Sequence, residues 1–217
     1  MREAISRRQY LQLFAFVLVS LGVSLALRDR APLGRSVADN PTAQAALNDE
    51  MSPSQQVRSP TLTLVVFTDY QCPACKLSDP AMNAAVAEDG HVRVIYRDWP
   101  IFGERSEQAA RVAIASNRQN IYPDVHRRLM SERRMLDPEV LRLAVLGAGG
   151  SWRRLQTDLR THERAINEQL NRTSKDAFTL GIPGTPAYLV GTILITGAMD
   201  EAAFKKAFAL ARKTKLP

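Results

Sequence analysis

The chain is poor in metal-ligating and aromatic residues. Its 217 residues include two cysteines and three histidines, and only 6% are aromatic. A structural zinc site takes four ligands, and His91, His126 and His162 do not combine with the two cysteines in a finger-like spacing. We therefore expect no metal and no other cofactor.

The aromatic residues are also not interleaved with the basic ones. The formal net charge is +7, and arginines cluster in "HRRLMSERR" and "WRRLQ". Proteins that bind single-stranded nucleic acid combine basic groups with aromatic stacking platforms. Because such platforms are missing here, we interpret these clusters as solvated helix faces and expect no nucleic-acid partner.

The first 30 residues have the layout of an export signal. A basic head precedes a mostly apolar stretch over residues 13–27, which is short for a membrane span of about 20 residues. The sequence predicts a cleaved signal or a retained N-terminal membrane anchor. "SRRQYL" resembles the twin-arginine export signature. Small residues suited to cleavage occur at Ser24-Leu25-Ala26 and at Ser36-Val37-Ala38, and the sequence does not decide between them.

Composition divides the remainder into a lead-in and one domain. Residues 31–59 are rich in Pro, Ser, Asn and Gln, with a short helix possible at "PTAQAALNDEM", and are predicted to be a linker. Residues 60–217 have the length of a single domain.

The domain begins with a strand, a helix and a second strand. "TLTLVVFTDY" and "HVRVIYRD" are rich in apolar and β-branched residues, which indicates strands. A helix is predicted from Cys72 to about Glu88. These lengths are typical of a right-handed βαβ unit.

Helices and then a hairpin follow. Residues 103–180 show only helical patterns, with N-caps at Asp137 and Ser151. "PAYLV" and "ILIT" flank Gly191-Thr192, a two-residue loop suited to a β-hairpin. Asp200 caps a last helix. The predicted fold class is α/β, with an all-helical insertion.

Two motifs and this order of elements resemble the DsbA-like branch of the thioredoxin superfamily. The motifs are "DYQCPACK" at a strand-to-helix turn and "GIPGTPAYLVG" before the hairpin, and the resemblance covers about residues 61–213. It implies a thioredoxin fold with a helical insertion, and disulfide exchange in exported proteins.

Cys72 and Cys75 are the predicted catalytic pair. Disulfide exchange needs an attacking thiolate and a second thiol that resolves the mixed disulfide. At a helix N-terminus the dipole and free N–H groups lower a thiol pKa, so we expect Cys72 to be the exposed nucleophile. Cys75, one turn later, is expected to be buried and to resolve. A purely structural disulfide at this spacing closes too short a loop to stabilise much.

Neighbouring residues are expected to adjust the redox couple. Pro73 starts the helix and stiffens the turn, and Ala74 replaces a histidine of strongly oxidising relatives, which implies a less oxidising couple. Relatives also carry a buried acid where this chain has Val66. Deprotonation of Cys75 would then rely on water or on Asp69, although Asp69 is equally well interpreted as a helix-leading cap acceptor.

Thr185-Pro186 is the second half of the predicted site. The resemblance implies a cis peptide bond at Pro186, with Pro183 as an ordinary loop residue. The backbone of Thr185 would then face the cysteines and pair with an extended substrate segment.

The resemblance also implies partners and a compartment. Substrates would be unfolded or newly exported cysteine-containing proteins, in the periplasm or another extracytoplasmic space, with the enzyme free or anchored to the inner membrane. An oxidase would be reoxidised by a DsbB-like membrane partner. The alternatives are an isomerase or reductase kept reduced by a DsbD-like partner, and a non-catalytic peptide-binding chaperone module.

Overall fold

The computed structural model describes residues 33–214 and, before them, only residues 7, 8, 12–14, 16 and 20. Most of the predicted leader, including Ser24-Leu25-Ala26, therefore lies outside the described residues. The chain divides into two compact units, residues 1–33 and residues 34–217. In the part of the chain that is described, no helix combines the length and the apolar character needed to cross a membrane.

The second unit is built on a mixed sheet whose strand order is β1-β6-β5-β3-β4-β2. Strands β3 and β4 are parallel, as expected for a βαβ unit, and the other neighbouring pairs are antiparallel. The strands are β1 (Arg35–Ser36), β2 (Ser54–Gln55), β3 (Leu62–Thr68), β4 (Val92–Asp98), β5 (Ala187–Val190) and β6 (Ile193–Thr196).

The helices confirm the predicted arrangement. Helix α2 connects the two parallel strands, the insertion predicted at 103–180 consists of α3 to α7, and α8 follows the hairpin. Their bounds are α1 (Pro41–Leu47), α2 (Pro73–Asp89), α3 (Glu104–Ser116), α4 (Tyr122–Ser131), α5 (Pro138–Gly147), α6 (Trp152–Thr161), α7 (Glu163–Thr179) and α8 (Glu201–Thr214), with a 3₁₀ turn at Asn117–Gln119.

Local chemistry explains several of these boundaries. Asp137 accepts a hydrogen bond from the Val140 amide at 2.8 Å, and Asp200 does the same for Ala203 at 2.8 Å. Both residues therefore act as the predicted N-caps. Gly191 begins the hairpin turn with φ of 53°, a left-handed value that disfavours larger residues.

Helices cover both faces of the sheet. On one face Val65 and Phe67 join a buried cluster with Ala46 of α1 and Ala177 of α7. Tyr188 points to the opposite face by strand alternation, and its ring lies 4.9 Å from that of Phe204 in α8. Strand β3 is thus buried on both sides, and this packing holds in position its C-terminal end, from which the cysteine motif begins.

The predicted linker is wrong from Gly34 onward, because this segment belongs to the domain. Strands β1 and β2 pair with β6 and β4 at the two edges of the sheet. Val37 and Ala43 are buried in the core. Strands of only two residues carry too little hydrophobic pattern to be recognised in the sequence. Of the two possible cleavage sites, Ser36-Val37-Ala38 therefore overlaps β1 and the core.

A buried ion network holds this segment in place. Arg97, which is 2% exposed, binds Asp49 at 3.0 Å and Asp176 of α7 at 3.3 Å. Arg97 follows Tyr96 directly in β4, so its side chain lies on the opposite face of the strand. The structure shows that both sides are covered at this position, so the guanidinium is buried and paired.

Candidate active site

The two cysteines lie where β3 gives way to α2. Cys72 is the N-cap residue of α2, Pro73 occupies the first turn, and Cys75 lies one turn into the helix. The Cys75 backbone N–H donates to the Cys72 sulfur, with N and Sγ 3.3 Å apart. Both cysteines are free thiols. The structure thus places Cys72 at a helix N-terminus, where the dipole favours a thiolate.

Cys72 is buried, and the prediction that it is exposed is wrong. The residue is 2% exposed. In its thiol form it donates S–H to the Thr185 carbonyl, with Sγ and O 3.2 Å apart. Because the residue that covers it lies 113 positions further along the chain, local sequence did not reveal this burial.

The two thiols differ sharply in acidity. A hydrogen bond from the Cys75 thiol lowers the pKa of Cys72 to about 6, and the Thr185 side chain and the backbone N–H groups of Cys75 and Ala74 act in the same direction against burial. The same contact with Cys72, together with burial, raises the pKa of Cys75. At neutral pH Cys72 is therefore mostly a thiolate and Cys75 a thiol.

Thr185 and Pro186 adjoin this pair. The Thr185–Pro186 peptide bond is cis. The Pro186 carbonyl accepts a hydrogen bond from the Gly197 amide at 2.9 Å, which ties this segment to the turn after β6. The Thr185 hydroxyl is buried and lacks a hydrogen-bond partner of good geometry among the described residues. It is therefore available to the sulfur of Cys72.

Asp69 uses its carboxylate to organise the loops around the site. One oxygen accepts from the Gln71 amide at 2.6 Å and from the Ser106 hydroxyl at 2.7 Å. The other accepts from the amides of Ile101 and Phe102 at 2.7 and 3.1 Å. With four donors around it, this carboxylate joins the loop before α2 to the segment before α3 and to Ser106, whereas the N-cap of α2 is Cys72. Val66, at the position of the acid in relatives, is buried in β3.

Ala74 and Pro73 form the rest of the motif. Pro73 is exposed and Ala74 is partly exposed, so both lie at the entrance to the sulfur pair. Ala74 contributes a backbone N–H to Cys72 and carries no ionisable group that would stabilise the thiolate further.

Exposed apolar side chains occur on the segments that carry the site. Leu77 of α2 is 76% exposed and Phe102 is 51% exposed. Ile101, also exposed, lies beside Gly184, whose Cβ position would be 3.9 Å from its Cδ1 atom. The Asp69 carboxylate fixes the backbone of Ile101 and Phe102, so this apolar rim is held close to the cysteines.

A buried polar cluster below the motif was not predicted. We call it the His126 cluster, and it consists of Tyr70, Asp79, Asp98, Tyr122 and His126. In the sequence His126 stands out only as a possible metal ligand, because Tyr70, Asp79 and Asp98 come from segments far from it along the chain. In the described part of the chain no group of three or more His, Cys, Asp or Glu side chains is arranged to hold a metal ion.

Comparisons with known proteins agree with this geometry. A family profile described as a DSBA-like thioredoxin domain matches residues 63–209. The structure is similar to a thioredoxin-like oxidoreductase from Silicibacter pomeroyi DSS-3, with 30% identity, a TM-score of 0.74 and coverage of 80% of this chain and 98% of that one. It is also similar to a periplasmic thioredoxin-like protein from Salmonella enterica serovar Typhimurium, with 32% identity, a TM-score of 0.71 and the same coverage.

A relative of a different kind matches only in part. The Na(+)/H(+) antiporter NhaA 3 of Salinispora tropica is 28% identical over 167 residues, which are 71% of this chain and 24% of that protein. The chain thus spans about a quarter of the length of the curated relatives it matches. Since the family profile covers more than half of the chain, the chain belongs to the DSBA-like thioredoxin domain family.

Proposed function

We propose that the protein is an extracytoplasmic thiol:disulfide oxidase, which transfers a Cys72–Cys75 disulfide to cysteine pairs of newly exported proteins. The observation that carries this proposal is the asymmetry of the two thiols. Cys72 caps α2 and has a pKa lowered to about 6, whereas the pKa of Cys75 is raised. With this difference in acidity, Cys72 acts as the attacking and leaving sulfur, and Cys75 acts as the resolving thiol.

The reaction begins with the oxidised protein. A substrate thiolate attacks the Cys72 sulfur, the Cys72–Cys75 bond breaks, and Cys75 leaves with the electron pair and takes up a proton. A second substrate thiolate then attacks the substrate sulfur of the mixed disulfide and releases Cys72 as a thiolate. The substrate loses two electrons and gains a disulfide, and the protein ends as a thiolate and a thiol. The low pKa makes Cys72 a good leaving group.

Substrate binding is proposed at Thr185 and the apolar rim. The Thr185 carbonyl already accepts from Cys72, so its backbone faces the reacting sulfur. An extended substrate segment beside it would pair through main-chain hydrogen bonds, which read little sequence. Exposed Leu77, Ile101 and Phe102 would bind apolar side chains of unfolded proteins.

The proposed compartment follows from the leader and from one similar structure. Residues 1–30 fit an export signal or anchor with a twin-arginine pattern. The similar Salmonella protein is named as periplasmic. We place the protein in the periplasm or an equivalent space, free or anchored to the inner membrane, with a DsbB-like membrane protein as its oxidant.

A second candidate is an isomerase or reductase kept reduced by a DsbD-like partner. Two observations favour it. Thr185 precedes the cis proline, as in isomerase-like relatives, and Ala74 supplies no charge that would make the couple strongly oxidising. A non-catalytic chaperone module is disfavoured, because peptide binding alone would not need two neighbouring thiols with very different pKa values.

Trapping with Cys75→Ser distinguishes these functions. Cys72 remains a nucleophile in this variant but its mixed disulfides cannot be resolved internally, so partners stay attached and can be identified after acid quenching. The oxidase should trap reduced exported proteins and a quinone-linked membrane protein. An isomerase should trap proteins with several disulfides and a membrane reductant.

The control is the Cys72→Ser, Cys75→Ser double variant, which should trap nothing. If Cys75→Ser also yields no covalent adducts in its native compartment while Cys72 is shown to be free, the enzymatic proposal is wrong. The equilibrium of the wild-type couple with glutathione then ranks its oxidising strength independently of partners.

A further inference from the structure

The His126 cluster connects the helical insertion to both ends of the cysteine motif. The His126 Nδ1 atom lies 3.0 Å from the hydroxyl of Tyr70, two residues before Cys72. Its Nε2 atom lies 3.1 Å from Asp79 Oδ1, four residues after Cys75. Helix α4, which carries His126, thus holds the motif from below on both sides.

Two further contacts extend the cluster to β4. The hydroxyls of Tyr70 and Tyr122 are 3.3 Å apart, and the Tyr122 hydroxyl donates to the Asp98 carboxylate at 3.0 Å. Asp98, Tyr70 and Tyr122 are at most 1% exposed. The contacts therefore form an unbroken chain from Asp98 through Tyr122, Tyr70 and His126 to Asp79, closed off from bulk water.

Forming all four contacts as hydrogen bonds takes one proton more than the neutral ring groups supply. Four contacts require four protons, one for each hydrogen bond. Tyr122, Tyr70 and a neutral His126 provide three. With only three, one contact would set two lone pairs against each other in a buried site, which is costly. A fourth proton on the cluster would complete the set of four contacts.

The surroundings favour binding of that proton near neutral pH. Burial raises the pKa of the Asp98 carboxyl to about 6, against the lowering effect of His126 and the two tyrosine hydroxyls. With the fourth proton bound, the cluster carries one net negative charge, and without it two. The titratable or charged groups on or beside the cluster are Asp69, Tyr70, Cys72, Cys75, Asp79, Tyr96, Asp98, Tyr122, His126, Arg127 and Tyr188.

The cluster is close enough to influence the cysteines. Asp79 and Cys75 are four residues apart on the buried face of α2, so their side chains lie one turn apart. Seven residues of helix separate Asp79 from Cys72, a rise of about 10 Å. At that distance one charge shifts the midpoint of a thiol titration by roughly half a unit to one unit, for effective dielectric constants between about 20 and 40.

We propose that the His126 cluster is a proton-holding positioning element of the cysteine couple. It binds one shared proton in weakly acidic solution, and in that state it eases formation of the Cys72 thiolate. Release of the proton adds a negative charge below α2 and disfavours the thiolate. His126 thereby makes disulfide exchange respond to pH in addition to the titration of Cys72 itself. This inference rests on the proposed role of Cys72 as the thiolate.

Three substitutions separate the charge states. Asp79→Asn supplies an amide donor to His126, so all four contacts form without an extra proton and the charge stays at one negative. His126→Gln supplies two donors, and Tyr70→Phe removes two contacts. In both variants no extra proton is needed and the charge stays at two negative. Tyr70→Phe keeps the ring and its packing, and thus remains informative if His126→Gln fails to fold.

The measurement is the thiolate absorbance of the reduced protein near 240 nm from pH 4 to 9, with Cys72→Ser as the blank. We expect the wild-type curve to follow Asp79→Asn at the acidic end and Tyr70→Phe or His126→Gln at the basic end. The midpoints of the two kinds of variant should differ by about half a unit or more. Substitution of the more accessible His162 by Gln is the control and should leave the curve unchanged.

Two results would overturn the inference. A third, different result would instead show that the proposed function is wrong. If the wild-type curve follows Tyr70→Phe and His126→Gln over the whole range, no proton is shared. If all curves coincide, the cluster does not act on Cys72. If instead wild type shows no thiolate below pH 8, the proposed role of Cys72 itself is wrong.

Discussion

The lowered pKa of Cys72 predicts that the reduced protein gains stability as pH rises. The folded pKa is about 6, against an ordinary value of 9.0. A group whose pKa is depressed by folding stabilises the native state above its unfolded pKa, and this contribution is lost as pH falls through the folded pKa. The window therefore runs from about pH 9 down to about pH 6. Cys75 has a raised pKa and is protonated in both states here, so it contributes nothing in this range.

The size of the effect follows from these two values. Linkage gives a contribution of about 1 to 2 kcal/mol at pH 7 and about 2 to 3 kcal/mol at pH 8, and almost none at pH 5. The same term stabilises the reduced over the oxidised protein. At pH 7 it makes the couple about 30 mV more oxidising than an unperturbed pair of thiols.

The assay is urea unfolding of the reduced protein from pH 5 to 8, with Cys72→Ser measured in parallel to remove the contribution of all other groups. The difference in unfolding free energy between the two proteins should grow by about 2 to 3 kcal/mol across this range. The oxidised protein has no thiolate, so its unfolding free energy relative to Cys72→Ser should not grow with pH in this way. A difference that stays constant with pH would refute a thiolate stabilised at the α2 N-terminus.

Two further predictions concern the neighbours of Cys72. Thr185→Val keeps the shape of the side chain but removes the hydroxyl that favours the thiolate, so alkylation of Cys72 across a pH series should show its apparent pKa rising; an unchanged profile would mean that the hydroxyl does not act on the sulfur. Asp69→Asn places an amide among four donors and should destabilise the protein by about 1–3 kcal/mol in urea unfolding. Asp39→Asn, at an exposed position, is the matched control, and equal stability of the two variants would contradict the loop-organising role of Asp69.

The sequence predicted the elements that carry strong local patterns. The continuous apolar strand before Cys72, the Pro and Asp residues that begin helices, and the Gly191-Thr192 loop all have signals within a few residues. The order of these elements, together with the two motifs around Cys72 and Pro186, identified the fold. Two-residue strands such as β1 and β2 leave no such pattern, because their stability comes from pairing with β6 and β4 rather than from their own residues.

The sequence predicted the parts of the site that are local in the chain, but not the contacts between distant residues. The motif located Cys72 and Cys75, but the burial of Cys72 depends on the carbonyl of Thr185, and the charge of Arg97 is buried only because Asp49 and Asp176 reach it. The His126 cluster likewise joins residues separated by up to 56 positions. No local spacing connects these groups, so their shared role appears only once the helical insertion is folded against α2.

Apart from Asp69, the buried acids near the cysteine motif lie in the His126 cluster. Val66 leaves the interior of β3 without a carboxyl, and the Asp69 carboxylate already accepts hydrogen bonds from three loop amides and from Ser106 of α3. The buried acids that remain near α2 are Asp79 and Asp98, and the structure joins both to His126 through tyrosine hydroxyls or directly. A proton on this chain of contacts lowers the negative charge below Cys72. The insertion therefore does more than cover the thioredoxin core. It supplies Tyr122 and His126, and through them the charge of the cluster acts on the Cys72 thiolate.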